Sequence, residues 1–446
     1  MKNRIFRDVS HPRAACLVAV WMFALAAYAG NGSWSGDADG NWSEAANWTP
    51  AAVPGTAAGD IVRLAANITA ARTVTIDSVS RTVGTLIIGD PLSSYFNYTL
   101  DASGGAGLTF NNSGSNANLV QTNNTSASDT VFAPLTLTDN LIVTNRATLT
   151  LSGVIGGSGK GLIKNGTGTL ILSGANTYGG PTVVNGSGPL QLGATDALPV
   201  TGAVILGGTN GLGNLNLGTF SQRLASLTAL STSSTVTDFV TIGSGQSLVI
   251  NGTAGLFVGT DAGANSTTKV TMSGGGALVV TNASAMVTVG KHQASQAYSN
   301  TGTLDLSALS GVTLGSGAVP VNEIRIAYGQ TCPGTLTLSN STNLLTASTL
   351  QVGNSVSWNA GTGNLILGAG TNVLAVNTIN IGVVKANGTM KFASQTAGSP
   401  GTVSILGKTG APPILISAAR TDSLPAPFRW EPSICAATSQ PSRRGR

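Results

Sequence analysis

LSGVIGGSGKGLIKNGTGTLILSGANTYGGPTVVNGSGPLQLG, residues 151–193, decides how this chain folds. Short stretches with an aliphatic residue at every second position, at Leu162, at Leu170 to Leu172 and at Thr182 to Val184, are separated by clusters of Gly, Asn and Ser at nearly regular intervals. Alternation over about four residues followed by a turn signal reads as a β-strand with one face turned inward. Strands this short bury too little by themselves. Each therefore predicts a neighbour above and below it, which makes the stretch one unit of a stacked, coiling array.

The same texture extends outward in both directions. From about residue 60 to 410 the chain is a series of short alternating strands, among them those around Val74, Leu86, Leu108, Leu135 and Leu149, with no stretch of helical period between them. Residues 334–353 align with residues 363–382 without a gap, at an offset of 29. Leu336 then meets Leu365, Asn343 meets Asn372, Leu345 meets Leu374 and Val352 meets Ile381. A fixed period with insertions elsewhere is the mark of stacked coils whose loops leave from a few corners. The fold class expected is all-β, a right-handed parallel β-helix (β-solenoid), the hand following from the usual handedness of parallel crossovers. Asn343 and Asn372 suit turns and can stack as an amide ladder. Gly243, Gly259, Gly290, Gly353 and Gly382 are expected to supply positive φ at corners. About fifteen coils spaced ~4.8 Å apart would make a rod of roughly 70 Å.

Both ends differ from the body. Residues 1–29 read as a secretory signal peptide: a basic stretch through Arg13, an apolar run from Cys16 to Ala27, and Ala27-Tyr28-Ala29 as a small-x-small cleavage pattern. Residues 30–59 hold Trp34, Trp42 and Trp48, three of the six tryptophans of the chain. Two readings are open for them. One is an N-terminal cap whose rings cover the open end of the first coil; the other is a carbohydrate-stacking platform. Residues 411–446 are rich in Pro and Arg and lose the alternation, so a disordered or aberrant tail is expected there.

Composition narrows the function classes. Gly numbers 59 and charged residues make up 9% of the chain, which suits a narrow interior filled by small aliphatic ladders. The net charge of +5 sits at the termini. Lys2, Arg4, Arg7 and Arg13 outnumber Asp8 at one end, and Arg420, Arg429, Arg443, Arg444 and Arg446 outnumber Asp422 and Glu431 at the other. The body is left nearly neutral, without a basic patch for phosphates, so no nucleic-acid partner is expected. Cys332 and Cys435 are far apart and lack metal-type spacing. No segment after the leader is long and apolar enough for a membrane helix, so no membrane span is expected in the mature chain.

Candidate chemistry is sparse. Beyond the leader the histidine is His292, in the polar stretch KHQASQAYSN, and no nucleophile–base arrangement forms without it. Parallel β-helices can host clustered carboxylates for acid/base work or calcium, but Asp238, Asp261, Asp305 and Glu323 fall on separate coils. Asp37, Asp39 and Asn41 have the alternate spacing of part of a calcium loop, but the closing bidentate Glu is missing at its required spacing, and a polar turn between tryptophans is the favoured reading. The glycines before Lys160 lack the full phosphate-loop spacing and read as a turn. No catalytic residue, metal site or cofactor is expected.

Three blocks in order, Ser152 to Gly159, Lys164 to Tyr178, and Thr182 to Gly186, resemble one complete copy of the autotransporter-associated β-strand repeat, a module of bacterial secreted passenger proteins. Pro181 and Pro189 depart from its usual Gly or Thr. The stretch around Gln222 resembles the region that trails such repeats. The resemblance implies export to the cell surface and a β-helical body, and it brings no catalytic residues. Alternating spans with aromatic girdles, as in the barrel that usually follows such passengers, are not seen near the end of the chain. The reading that results is a secreted, non-catalytic, passenger-like solenoid with a structural or adhesive role at the bacterial surface, with extracellular polysaccharide or surface proteins as partners. The alternative is a carbohydrate-binding or polysaccharide-degrading β-helix protein that uses Trp34, Trp42 and Trp48.

Overall fold

The computed structural model describes residues 30–91, 96–122, 128–208, 211–231, 236–260, 265–292, 299–355, 361–393, 400–409 and 412–417. The leader expected at 1–29 and most of the tail expected at 411–446 lie outside them. Within these residues the chain is all-β, a solenoid of short parallel strands with a single short 3-10 turn at Ala45–Asn47 among them.

Each coil turns through three faces. In one, Leu141–Asn145 lies on the first face, Thr148–Leu151 on the second and Ile155–Gly156 on the third. The next coil lays Leu162–Gly166 on the first of these and Leu170–Leu172 on the second, both parallel and in register. Period-2 alternation sets which side chains enter. On the first face Leu86, Leu119, Val143, Lys164, Val184 and Leu206 stack as one inward column. On the second, Leu100, Val131, Leu151, Leu172 and Leu192 form another. All are buried, and each coil covers the apolar edge of the one before.

The third face changes along the molecule. Its four-stranded ladder closes at Ile155–Gly156, and strand returns there with Gln222–Ala229. That strand pairs through Gln222 to Leu224 on the third face and, after a register shift, through Ser226 to Ala229 on the first. Three later strands, Ser247–Val258, Thr342–Asn354 and Thr371–Val383, run through the same corner unbroken. Thr342–Asn354 and Thr371–Val383 pair along almost their whole length, and there the 29-residue match becomes coil-on-coil register: Asn343 faces Asn372, Leu345 faces Leu374 and Val352 faces Ile381. The Asn343 Nδ2 donates to Asn372 Oδ1 at 2.9 Å, which is the expected amide ladder.

Four of the five corner glycines have positive φ: Gly259, Gly290, Gly353 and Gly382. Gly243 does not. It is needed for close approach instead, since a Cβ there would lie 2.0 Å from the Gly218 carbonyl oxygen.

Stacking also passes both expected boundaries. Gly32–Trp34 pairs parallel with Ile61–Leu64 and antiparallel with Trp48–Thr49, so the tryptophan segment is already part of the array before residue 60. At the other end Ile414–Ser417 adds to Thr371–Val383, inside the region expected to be a tail from 411 onward.

Candidate binding surface

The three tryptophans are interior residues. Trp34, Trp42 and Trp48 are 2%, 0% and 2% exposed. Trp48 packs edge-on to Trp34 with centroids 5.1 Å apart and tilted to Trp42 at 4.8 Å. The Trp42 Nε1 donates to the Pro54 carbonyl at 2.9 Å, and the Trp48 Nε1 donates to the Trp42 carbonyl at 2.8 Å. A sugar stacks on an indole face open to water, and these faces are spent on one another. Burial leaves no open indole face for the carbohydrate platform, the alternative reading of these residues.

The acids near them hold the next coil. Asp37 accepts from Arg72 Nε at 2.7 Å and from the Thr69 amide and hydroxyl at 3.0 and 2.6 Å. The Arg72 hydrogen bond leads in pulling its carboxyl down to about 2, helped by the two Thr69 donors. Asp39 accepts from the Thr73 amide at 2.8 Å. Elsewhere the acids lie apart. Asp238 is buried, accepting from the Gly213 amide at 2.7 Å and from Ser231 Oγ at 2.8 Å, and burial raises its pKa against those bonds. Glu323 pairs with Arg325 and Gln351 on the first face, whereas Asp305 accepts from the Ser307 amide on the second. Asp261 lies outside the described residues. His292 ends the strand Met286–His292, its backbone beside Gly329. Cys332 is buried inside the core. Among the described residues no three or more His, Cys, Asp or Glu side chains group as a metal site would need, and no helix is long and apolar enough to cross a membrane.

Two informative polar residues tie into the coils where the third face lacks strand. Asn176 is 5% exposed; its Oδ1 accepts from the Ile155 amide at 2.7 Å and its Nδ2 donates to the Ala197 carbonyl at 2.7 Å. One side-chain amide thus bridges the coils below and above, beside a backbone bond from the Thr177 amide to the Ile155 carbonyl at 2.9 Å. Gln222 clasps a single residue of the preceding coil instead, accepting from the Leu198 amide at 2.9 Å and donating to the Leu198 carbonyl at 3.0 Å. Tyr178 is buried with its hydroxyl 2.6 Å from Thr182 Oγ1. Residues 162–192 match the family model of the passenger-associated-transport-repeat. The chain carries a passenger-associated transport repeat. No curated protein and no solved structure matches the chain.

Within the transport repeat, Lys164 occupies an inward position in the aliphatic column between Val143 and Val184. Its Nζ donates to the carbonyls of Asn165 and Gly166 at 3.3 and 3.2 Å. Burial pushes its pKa down to about 8. Its phase relative to Leu162 is a sequence signal that it points inward. Gln222 has the same kind of signal, being in phase with Leu224 two residues on, whereas Asn176 sits in a segment without alternation.

Two outward columns of the array are regular and uncharged. Thr73, Thr99, Thr130 and Thr150 stand in register along the outer side of the second face. On the first face Ile142, Ile163, Val183 and Ile205 do the same. Such columns repeat at the ~4.8 Å strand spacing.

Proposed function

We propose that this protein is a secreted, non-catalytic, passenger-like rod of the bacterial surface, with a structural or adhesive role. The observation that carries this reading is the transport repeat set in register within a parallel array. Three acids support the non-catalytic part: the exposed Asp37 and Asp39 and the buried Asp238 are each engaged in holding neighbouring segments together. The tryptophan-packed first coil would serve as the cap, its short antiparallel strand Trp48–Thr49 being a poor template for edge pairing.

The test is expression of the full chain, with its own N-terminus, in a diderm bacterium. Antibody labelling of intact cells and loss of the label on external protease treatment are expected. Beads coated with the purified protein are expected to adhere to bacterial cell envelopes or polysaccharide, and no reducing ends are expected to be released from a polysaccharide panel. Retention inside the cell contradicts the surface role, and sugar release contradicts the non-catalytic one.

A further inference from the structure

A groove of about 500 Å³ crosses the outer side of the third face near the C-terminal end of the array. Register explains its shape. Ala277, Gly311, Thr342 and Thr371 are successive partners on four adjacent strands, so this row runs along the solenoid axis. Ala277 and Gly311 leave one end of the row nearly without side-chain bulk, and Thr342 and Thr371 line the other end. Two residues further along the strands, Thr313, Leu344 and Val373 form a parallel row that also lines the groove. Three coil intervals at ~4.8 Å give a length of about 14 Å, and the width is only two or three residues.

The lining selects an occupant. None of its residues is charged, so phosphates, uronates and acidic peptides find no counter-charge. The strands' own amides and carbonyls are committed to pairing between coils. A peptide lying along the axis would cross them and could not add to the sheet as a further strand. A sugar chain does not have this problem. Its hydroxyls can meet Thr342 and Thr371, and its C–H faces can lie on Leu344 and Val373. Units of an extended β-1,4-linked hexose chain follow one another at close to the coil spacing, so successive units would meet equivalent rows.

We propose that this groove binds a neutral β-1,4-linked polysaccharide laid along the solenoid axis. The inference rests on the surface role above and names what that surface holds.

Calorimetric titration of the full chain with cellohexaose and mannohexaose tests it. Saturable binding of at least one hexaose is expected, with no binding of an oligogalacturonate of equal length. Gly311→Leu, which fills the floor, is expected to weaken binding by about tenfold or more; Thr371→Val, which removes one hydroxyl and keeps the shape, by about three- to tenfold, the range of one neutral hydrogen bond. Thr150→Val, on the second-face ladder, is expected to leave binding unchanged. The proposal is overturned if neither hexaose binds, if the oligogalacturonate binds as well as they do, if Thr371→Val binds as the parent does, or if Thr150→Val loses as much. Surface display and bead adhesion without hexaose binding would remove the groove and leave the surface role standing.

Discussion

At the scale of single residues, the transport repeat is distinguished by polar groups placed inside. Asn176 satisfies one backbone donor below it and one backbone acceptor above it. Asn176→Ala leaves both buried groups without this partner and is expected to cost about 2–4 kcal/mol. Urea unfolding measures the loss, and hydrogen exchange should speed up at the Ile155 amide first. Lys164 works in the opposite direction, because burial lowers its pKa from 10.5 to about 8. Below pH 8 the folded chain carries the full cost of the desolvated charge. Between pH 8 and 10.5 the unfolded chain still holds the proton that the folded chain has released, so stability rises with pH across that window. Lys164→Met keeps the stem and drops the charge. The variant is expected to be the more stable one at pH 7, with the gap closing by pH 10.5; a gap that does not change with pH would contradict a buried, desolvated ammonium.

At the scale of strands and corners, much was legible in the sequence, for a physical reason. Strand alternation is a local property, so the inward phase of Leu86, Leu119, Leu149 and Leu170 follows from their immediate neighbours. The match of residues 334–353 to 363–382 was legible because those two coils have equal lengths. The groove was not, since it arises where Ala277 and Gly311 stack against Thr342 and Thr371 across coils of unequal length. Asn176 and Gln222 were missed for a related reason: their partners lie a full coil away. The tryptophans were half legible, their clustering visible but their mutual burial a matter of the first coil's path. Corner glycines divide into two kinds that a sequence does not separate, positive φ at Gly353 and close approach at Gly243. At Gly353, φ is 72° and an added Cβ would lie 2.0 Å from the Asn387 carbonyl oxygen. Gly353→Ala is expected to destabilise the chain by about 2 kcal/mol or more. Gly317→Ala, where nothing lies within 4 Å of the added carbon, should move the urea midpoint little.

At the scale of the whole molecule, stability is a sum of coils and coil–coil contacts, so unfolding need not be a single transition. The first coil bears on this directly, because three indoles fill it. Trp42→Ala removes a fully buried ring that contacts Trp48 and is expected to cost about 3–5 kcal/mol locally. Hydrogen exchange should show the loss confined to the N-terminal coils, while the strands from Thr342 onward keep their protection; a uniform loss would mean that the array unfolds as one unit. A single register runs along the second face, in one column from Thr73 through Thr99, Thr130, Thr150, Ile171, Gln191 and Asn216 to Thr241. Spin labels at Thr73 and Gln191, and at Thr73 and Thr241, measure it by pulsed dipolar spectroscopy. Five and seven coil intervals predict backbone separations of about 24 and about 34 Å. Two equal distances, or a shorter one to Thr241 than to Gln191, would contradict the stacked array.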